Sequence, residues 1–229
     1  MGPVGRNASP VVWTLVVPLK PLSRAKSRLS DAAGDTLRPG LALAFAKDTV
    51  GAALAGRRVG GVTVVTDDPL AGRELAALGA RIVPDTPGRG LNAALAHGAR
   101  TVREDHPSAS VAALNADLPA LRAADLDQVL EAAAGFPRAF LADAAGVGTT
   151  LLAAAQGTGL APAFGGASRA RHRASGAYEI ELPGVDSVRR DVDTGEDLRA
   201  ALALGVGTHT ARLCGTPRPP GPRAALPGT

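Results

Sequence analysis

The chain has 229 residues, which is enough for one domain of ordinary size with a substantial buried core. Its formal net charge is +4, and the basic residues are scattered arginines with small clusters at residues 20–28 and 169–173. Because only 3% of the residues are aromatic, the chain lacks the stacking platforms of a single-strand binder. A small anionic substrate therefore explains the basic clusters better than nucleic acid does.

The cysteine count and the apolar runs exclude further classes. Cys214 is the only cysteine, so neither a disulfide framework nor a thiolate metal site is expected. No apolar run reaches the roughly 20 residues that span a bilayer, and the N-terminus lacks the hydrophobic region of a secretory signal. We expect a cytoplasmic protein with no membrane partner, with a disordered extension at 1–10, a single domain at 11–213 and a flexible Pro-rich tail at 214–229.

Short apolar runs alternate with helical patterns through the first half of the chain. In chain order, the patterns predict a strand at 11–17, a helix at 37–54, a strand at 62–66, a helix at 69–78, a strand at 81–83, a helix at 91–103, a strand at 111–116 and a helix at 123–134. This alternation favours right-handed βαβ units and a parallel sheet that is covered on both faces.

The second half has a looser pattern. Strands are predicted at 138–142, 149–153, 178–181 and 187–192, and a helix at 195–204 closes the fold. The fold class is therefore α/β, with a Rossmann-like, mostly parallel sheet that carries antiparallel additions. Since ligands bind at the carboxyl ends of such strands, the segments after Val17, Ala116 and Val192 are the expected site.

A basic loop follows the first strand. It offers Lys20, Arg24, Lys26 and Arg28, which suits a triphosphate because several cations must be fixed close to its charge. It is not a Walker loop, since the G-x-x-x-x-G-K-[ST] pattern is absent. A solvated basic loop is the alternative.

A Gly-rich segment leads into the third helix. Gly88 and Gly90 permit a close approach of the backbone, and Asn92 can offer a donor and an acceptor to a base edge. The alternative is a plain turn.

Two acidic segments are candidates for a magnesium site. Asp117 emerges from the central strand, and Asp191 and Asp193 lie two residues apart, so in an extended segment they point the same way. The alternative for Asp117 is an acidic residue at a helix start, and Thr194 with Asp197 reads as a capping box.

The four histidines have no metal-ligand spacing, and no nucleophilic elbow or Cys/His pair is present. If the nucleophile is a phosphate oxygen, no general base is needed, and catalysis depends on placement and charge neutralisation.

Seven runs together resemble the 2-phospholactate guanylyltransferase family, which makes an activated intermediate for the deazaflavin coenzyme F-420. In chain order they are PLKPLSRAKSRL, LALAFAKDTV, PGRGLNAALAHGA, NADLPAL, GVGTTLL, FGGASRARH and RRDVDTGEDL. The resemblance covers roughly residues 12–212. It implies a nucleotidyltransferase fold of GT-A-like, three-layer type. The L-x-G-G loop of molybdopterin and sugar-phosphate relatives is missing, and the basic loop takes its place.

The resemblance also implies roles for individual residues. The phosphates of GTP would be held by Lys20, Lys26 and Arg28, with Gly90 and Asn92 near guanine. Lys26 would be catalytic.

The metal and acid sites follow in the same way. Asp117, as a catalytic residue, would bind Mg²⁺ with Asp191 and Asp193. The pocket for the acid substrate would be formed by the following residues: Thr150, Gly165 and Ser168. A hydroxyl and backbone N–H groups at a helix start bind carboxylate or phosphate well.

The family divides by substrate between phosphoenolpyruvate and 2-phospholactate. The Ala, Gly and Arg richness is typical of a high-GC bacterium, which favours phosphoenolpyruvate. Since the enol product would be labile, the downstream transferase that accepts it is a further expected partner. Another small-molecule nucleotidyltransferase, a non-catalytic nucleotide-binding protein and a nucleic-acid binder are the alternatives.

Overall fold

The computed structural model describes residues 11–24, 30–86 and 88–215. Its elements in chain order are β1 Trp13–Pro18, α1 Ser30–Leu54, β2 Val59–Val65, α2 Pro69–Ala76, β3 Arg81–Val83, α3 Leu91–Asp105, β4 Ser110–Leu114, α4 Ala123–Ala133, β5 Arg138–Ala142, β6 Thr149–Ala154, α5 Ser168–Ala174, β7 Tyr178–Glu179, α6 Asp186–Arg189, α7 Gly195–Leu204 and α8 Thr208–Leu213. A short 3-10 turn, Leu22–Arg24, precedes α1.

The strands form one seven-stranded sheet in the order β3-β2-β1-β4-β6-β5-β7. The pairs β1–β2, β1–β4, β2–β3 and β5–β7 are parallel, whereas β6 is antiparallel to both of its neighbours. The chain leaves β1 towards β2 and β3, and then returns through α3 to place β4 on the other side. A crevice therefore opens between the carboxyl ends of β1 and β4, where the connections diverge.

Helices cover both faces of the sheet because alternate strand residues point to opposite sides. Trp13, Leu15 and Val17 pack with side chains of α1, α2, α4 and α6 in one buried cluster. Val16 packs on the other face against α3. The predicted three-layer α/β fold with a mostly parallel sheet is thus confirmed.

Most of the predicted elements match the structure within a few residues. The first helix is the largest difference, since it begins at Ser30 rather than near residue 37 and runs through Pro39. The terminal segments 1–10 and 216–229 lie outside the described residues, so the disorder expected there stays a prediction.

The strand predicted at 187–192 is wrong. The chain there forms α6, in which Val185 and Val188 are both buried at the three-residue spacing of a helix. The Ser187 hydroxyl also donates to Asp125 of α4 and accepts the N–H of Arg122, which holds α6 against α4.

The helix at 195–204 does not close the fold, because α8 follows it. The carboxylate of Asp48, on α1, accepts the N–H groups of His209 and Thr210 and so caps α8. This cap joins residues more than 160 positions apart, and no local pattern could reveal it. None of the helices in the described part of the chain is both long enough and apolar enough to cross a membrane.

Gly98 is the position where α3 lies closest to the sheet. A Cβ atom at this residue would lie 2.6 Å from Cγ1 of Val16 and 2.7 Å from Cγ2 of Val65. We expect Gly98→Ala to lower the free energy of unfolding by about 1–3 kcal/mol, because overpacking outweighs the roughly 1 kcal/mol that Ala gains in a helix.

The matched control is Gly51→Ala on α1, where an added Cβ meets no atom within 4 Å. Urea unfolding should show equal or slightly higher stability for this variant. Equal effects of the two substitutions would contradict the close packing of α3.

Candidate active site

A cleft of about 600 Å³ lies at the carboxyl ends of β1 and β4, where the topology places it. Its walls come from the loop after β1, the loop after β4, the β5–β6 hairpin, the loop before α5 and the segment after α6. Among the residues predicted from the sequence, those that line it are Lys20, Asp117, Gly165, Ser168, Asp191 and Asp193.

The acidic wall is assembled by a main-chain hydrogen bond. The N–H of Val192 donates to the carbonyl of Asp117 at 3.0 Å, which places the residues on either side of Val192 beside the end of β4. The amide of Asn115 also reaches Asp191 Oδ2, at 3.5 Å. Asp117, Asp191 and Asp193 consequently line the same cleft, as the sequence predicted for them.

Asp143 is a fourth carboxylate of the cleft that the sequence reasoning missed. It begins the turn of the β5–β6 hairpin, where its side chain accepts the N–H groups of Val147 at 2.9 Å and Gly148 at 2.8 Å. Asp and Gly residues in the segment between two predicted strands are a signal for a turn. Nothing in that signal shows that the hairpin folds back to the end of β4.

The loop before α5 brings backbone donors to the cleft. Gly165 and Gly166 both have positive φ, at 94° and 46°, and both line the cleft. Neither N–H donates a hydrogen bond to another described residue. Successive N–H groups without a protein partner can bind an anion where they point to the same side. Ser168 lies beside them, almost fully buried, and Phe164, whose ring packs against His172, also lines the cleft.

Three predicted residues are not part of the lining. Gly90 precedes α3 with a φ of 93°, and Thr150 is fully buried with a hydroxyl that has no hydrogen-bond partner among the described residues. Its neighbour Thr149 lines the cleft instead. Asn92 binds the main chain of Phe164, donating to its carbonyl at 3.1 Å and accepting its N–H at 2.7 Å.

The structure describes only the first part of the basic loop, up to residue 24. Lys20 lines the cleft, whereas Lys26 and Arg28 lie outside the described residues. The N–H of Leu22 donates to Asp68 Oδ2 at 2.8 Å, and the same carboxylate caps α2. Burial would raise the pKa of Asp68, but the N–H groups of α2 and of Leu22 outweigh it and hold this pKa below its usual value.

The arginines at 169–173 serve the fold rather than an anion. Arg169 binds Glu179 and the carbonyl of Gly146, and Arg173 binds the same carboxylate. Arg171 donates to carbonyl groups of the loop before α5. This cluster therefore does not need a bound substrate to explain it.

His172 is a fully buried histidine that no sequence argument singled out. Its Nε2 accepts the N–H of Ala163 at 3.0 Å, so the ring is neutral and Nδ1 donates to Thr149 Oγ1 at 2.9 Å. Burial, together with the nearby charges of Arg138 and Arg171, lowers the pKa of His172 to about 4.

The described residues include no group of three or more His, Cys, Asp or Glu side chains already gathered to hold a metal ion. Magnesium takes only one or two carboxylates from a protein and completes its shell with phosphates and water. The oxygen donors of the acidic wall are of the kind it prefers.

A mostly parallel α/β sheet with a carboxylate-lined cleft at the carboxyl ends of its central strands is a fold that this chain shares with solved nucleotidyltransferases. A nucleotidyl transferase from Methanothermobacter has the same fold, with a TM-score of 0.60 over 84% of this chain and 97% of that chain at 20% identity. Residues 13–214 match the model of the guanylyl transferase CofC-like family, and the chain belongs to that family. The guanylyltransferase resemblance is thereby confirmed.

Two curated relatives agree with this assignment over most of their length. A phosphoenolpyruvate guanylyltransferase of Streptomyces scabiei is 72% identical over 87% of this chain and 94% of its own. The protein of the same name from Streptomyces avermitilis is 71% identical over 92% of this chain and 98% of its own.

Protonation of His172 should make stability depend on pH. The folded-state pKa of about 4 lies below the usual 6.5, so the contribution of the neutral ring is complete above pH 6.5 and is lost as the pH falls towards 4. We expect the difference in unfolding free energy between the wild type and His172→Gln to shrink by about 1.4 kcal/mol per pH unit in this window. Denaturant unfolding at several pH values measures it, and a difference independent of pH would contradict the neutral ring.

Proposed function

We propose that the protein transfers GMP from GTP to phosphoenolpyruvate and releases pyrophosphate, with Mg²⁺ as cofactor. The observation that carries the proposal is one cleft with carboxylates on the acidic wall and two adjacent glycine N–H groups on the loop before α5. The first set suits a metal-bound triphosphate, and the second suits a small acid. The names of the curated relatives support the same reaction.

The acid would lie against the loop before α5. The N–H groups of Gly165 and Gly166 can bind its carboxylate or phosphate oxygens, and Ser168 and Thr149 supply polar groups nearby. A pocket of this composition fits a three-carbon phosphorylated acid. Thr150 stays a predicted substrate contact, although the residue that lines the cleft is its neighbour Thr149.

Magnesium would be held at the wall formed by Asp117, Asp191 and Asp193, with Asp117 and one of the other two carboxylates as its direct ligands. Without cations, four cleft carboxylates and a triphosphate would repel one another, so the donor set fits a divalent metal. When bound, Mg²⁺ neutralises charge on the triphosphate and on the departing pyrophosphate. Lys20 lines this cleft, and its ammonium group can offset part of the same negative charge. Lys26 and Arg28 are predicted to do likewise.

The chemistry is a displacement at phosphorus. A phosphate oxygen of the acid attacks the α-phosphorus of GTP, a new phosphoanhydride bond forms, and the bond to the β-phosphate breaks to release pyrophosphate. The attacking oxygen is already ionised at neutral pH, so no general base is required. The residues of the cleft then act by placing the two anions in line and by offsetting their charge.

The same reaction on 2-phospho-L-lactate is the first alternative, since the two acids differ little in shape and a small pocket discriminates weakly. A different small-molecule nucleotidyltransferase is the second. A cytoplasmic location and direct transfer of the labile product to the downstream transferase stay predictions. Full product yield with the two enzymes separated by a dialysis membrane would contradict direct transfer.

A pyrophosphate-release assay with GTP tests the proposal. We expect magnesium-dependent release that is fastest with phosphoenolpyruvate, slower with 2-phospholactate because the pocket discriminates weakly between the two acids, and little with 3-phosphoglycerate. Release with 2-phospholactate alone would name the alternative substrate. If no pyrophosphate is released with any of the three acids, in protein shown to be folded by circular dichroism, the proposed reaction is overturned.

Asp117→Asn should lower turnover by about two orders of magnitude or more, because it removes an anionic ligand from the proposed metal site. The fold should persist, since the carbonyl of Asp117 still accepts the N–H of Val192. The matched control is Asp186→Asn, which changes an exposed carboxylate at the start of α6. Equal activity of the two variants would remove Asp117 from the site.

A further inference from the structure

The loop before α5 is held by side chains rather than by main-chain hydrogen bonds. In the described structure, residues 161–165 make no main-chain hydrogen bond to another main-chain group. Ala161 has a φ of 44°, a conformation that non-glycine residues rarely adopt, and its carbonyl accepts a hydrogen bond from Arg138 at 3.2 Å. The position of this segment is therefore determined by side chains from other parts of the fold.

Three of these side chains bind consecutive peptide groups. His172 accepts the N–H of Ala163, and Arg171 donates to the carbonyl of the same residue. Asn92, the second residue of α3, accepts the N–H of Phe164 and donates to the carbonyl of the same residue. Since a buried peptide group without a partner costs about 1–3 kcal/mol, these contacts favour one conformation of the loop.

The bound peptide groups are followed at once by Gly165 and Gly166. These glycines have open space around them, and neither N–H donates a hydrogen bond to a described residue. The N–H of Gly165 belongs to the same peptide as the Phe164 carbonyl that Asn92 binds, and the N–H of Gly166 belongs to the peptide whose carbonyl accepts from Arg171. An error in the Phe164 peptide would displace both donors together.

We propose that Asn92 and His172 are positioning residues for the acid substrate: they hold the Ala163 and Phe164 peptides so that the N–H groups of Gly165 and Gly166 face the cleft. This inference rests on the proposed function for the identity of the acid. It gives Asn92 a role other than contact with guanine, since a donor and an acceptor of its amide are both used by Phe164.

Steady-state kinetics of Asn92→Asp separate the two roles. Aspartate keeps an acceptor for the N–H of Phe164 but places an oxygen against its carbonyl, so one hydrogen bond becomes a repulsion. We expect the KM for phosphoenolpyruvate to rise about tenfold, with the KM for GTP and the preference for GTP over ATP little changed. A rise in the KM for GTP or a relaxed nucleotide preference, with an unchanged KM for the acid, would overturn the proposal.

Arg103→Ala is the matched control. Arg103 lies near the other end of α3 and also donates to main-chain carbonyls, those of Ala109, Ala154 and Ala155. The Arg103→Ala variant should be less stable than the wild type, with no change in the KM for the acid or for GTP. His172→Gln, which retains an acceptor for the N–H of Ala163, should raise the KM for the acid less than His172→Leu does.

Hydrogen exchange tests the positioning without any turnover. Peptides that cover residues 160–166 should exchange faster in Asn92→Asp than in the wild type or in Arg103→Ala. Equal exchange in all three proteins would overturn the positioning role, whatever the kinetics show. If the wild type turned over none of the acids, the proposed reaction would fail, and the link to an acid substrate would fail with it, even where exchange is faster.

Discussion

The hydrogen bond from Val192 to the carbonyl of Asp117 is the contact on which the candidate site depends. It joins the end of a central strand to a segment 75 residues later, and it turns two separate acidic sequences into one wall of a cleft. The strand itself is fixed by parallel pairing with β1 on one side and by antiparallel pairing with β6 on the other. The site is therefore only as well ordered as the sheet beneath it.

The two walls of the cleft are built on different principles. The acidic wall is aligned by the main-chain hydrogen bond between Val192 and Asp117, with the amide of Asn115 beside it. The loop before α5 has side-chain partners instead, so its shape depends on the identity of individual residues such as Asn92 and His172. Backbone-supported walls tolerate substitution around them, whereas a wall supported by side chains changes when those side chains do.

Sequence reasoning reached the parts of the fold that local patterns encode. Strands rich in Val, the capping box at Thr194 with Asp197, and a carboxylate after the central strand were all readable from neighbouring residues. The failures involve contacts between distant residues. The helix Asp186–Arg189 has only four residues, which is too short to show a helical period in the sequence. The cap of α8 by Asp48 joins residues that are far apart in the chain.

The site shows the same division. Asp117 was predicted because it follows the central strand, and Asp191 and Asp193 because they lie two residues apart. Asp143 also follows a predicted strand, but it was missed because its place beside β4 depends on the insertion of the reversed strand β6 between β4 and β5, which no local pattern reveals. The arginines at 169–173 looked like an anion site because charge is visible in a sequence, while their partners, such as Glu179, are not.

The reversed direction of β6 has a consequence for how the chain reaches its native state. The strands β1 to β4 come first in the sequence, and at that stage β4 is an apolar strand with one unpaired side, although every residue of it is buried in the finished sheet. Such an edge can pair with another molecule. The β5–β6 hairpin covers it, and the turn of the same hairpin carries Asp143 into the cleft. Cover for the edge of β4 and the placement of Asp143 thus depend on the same hairpin, and a chain interrupted before that hairpin would have neither.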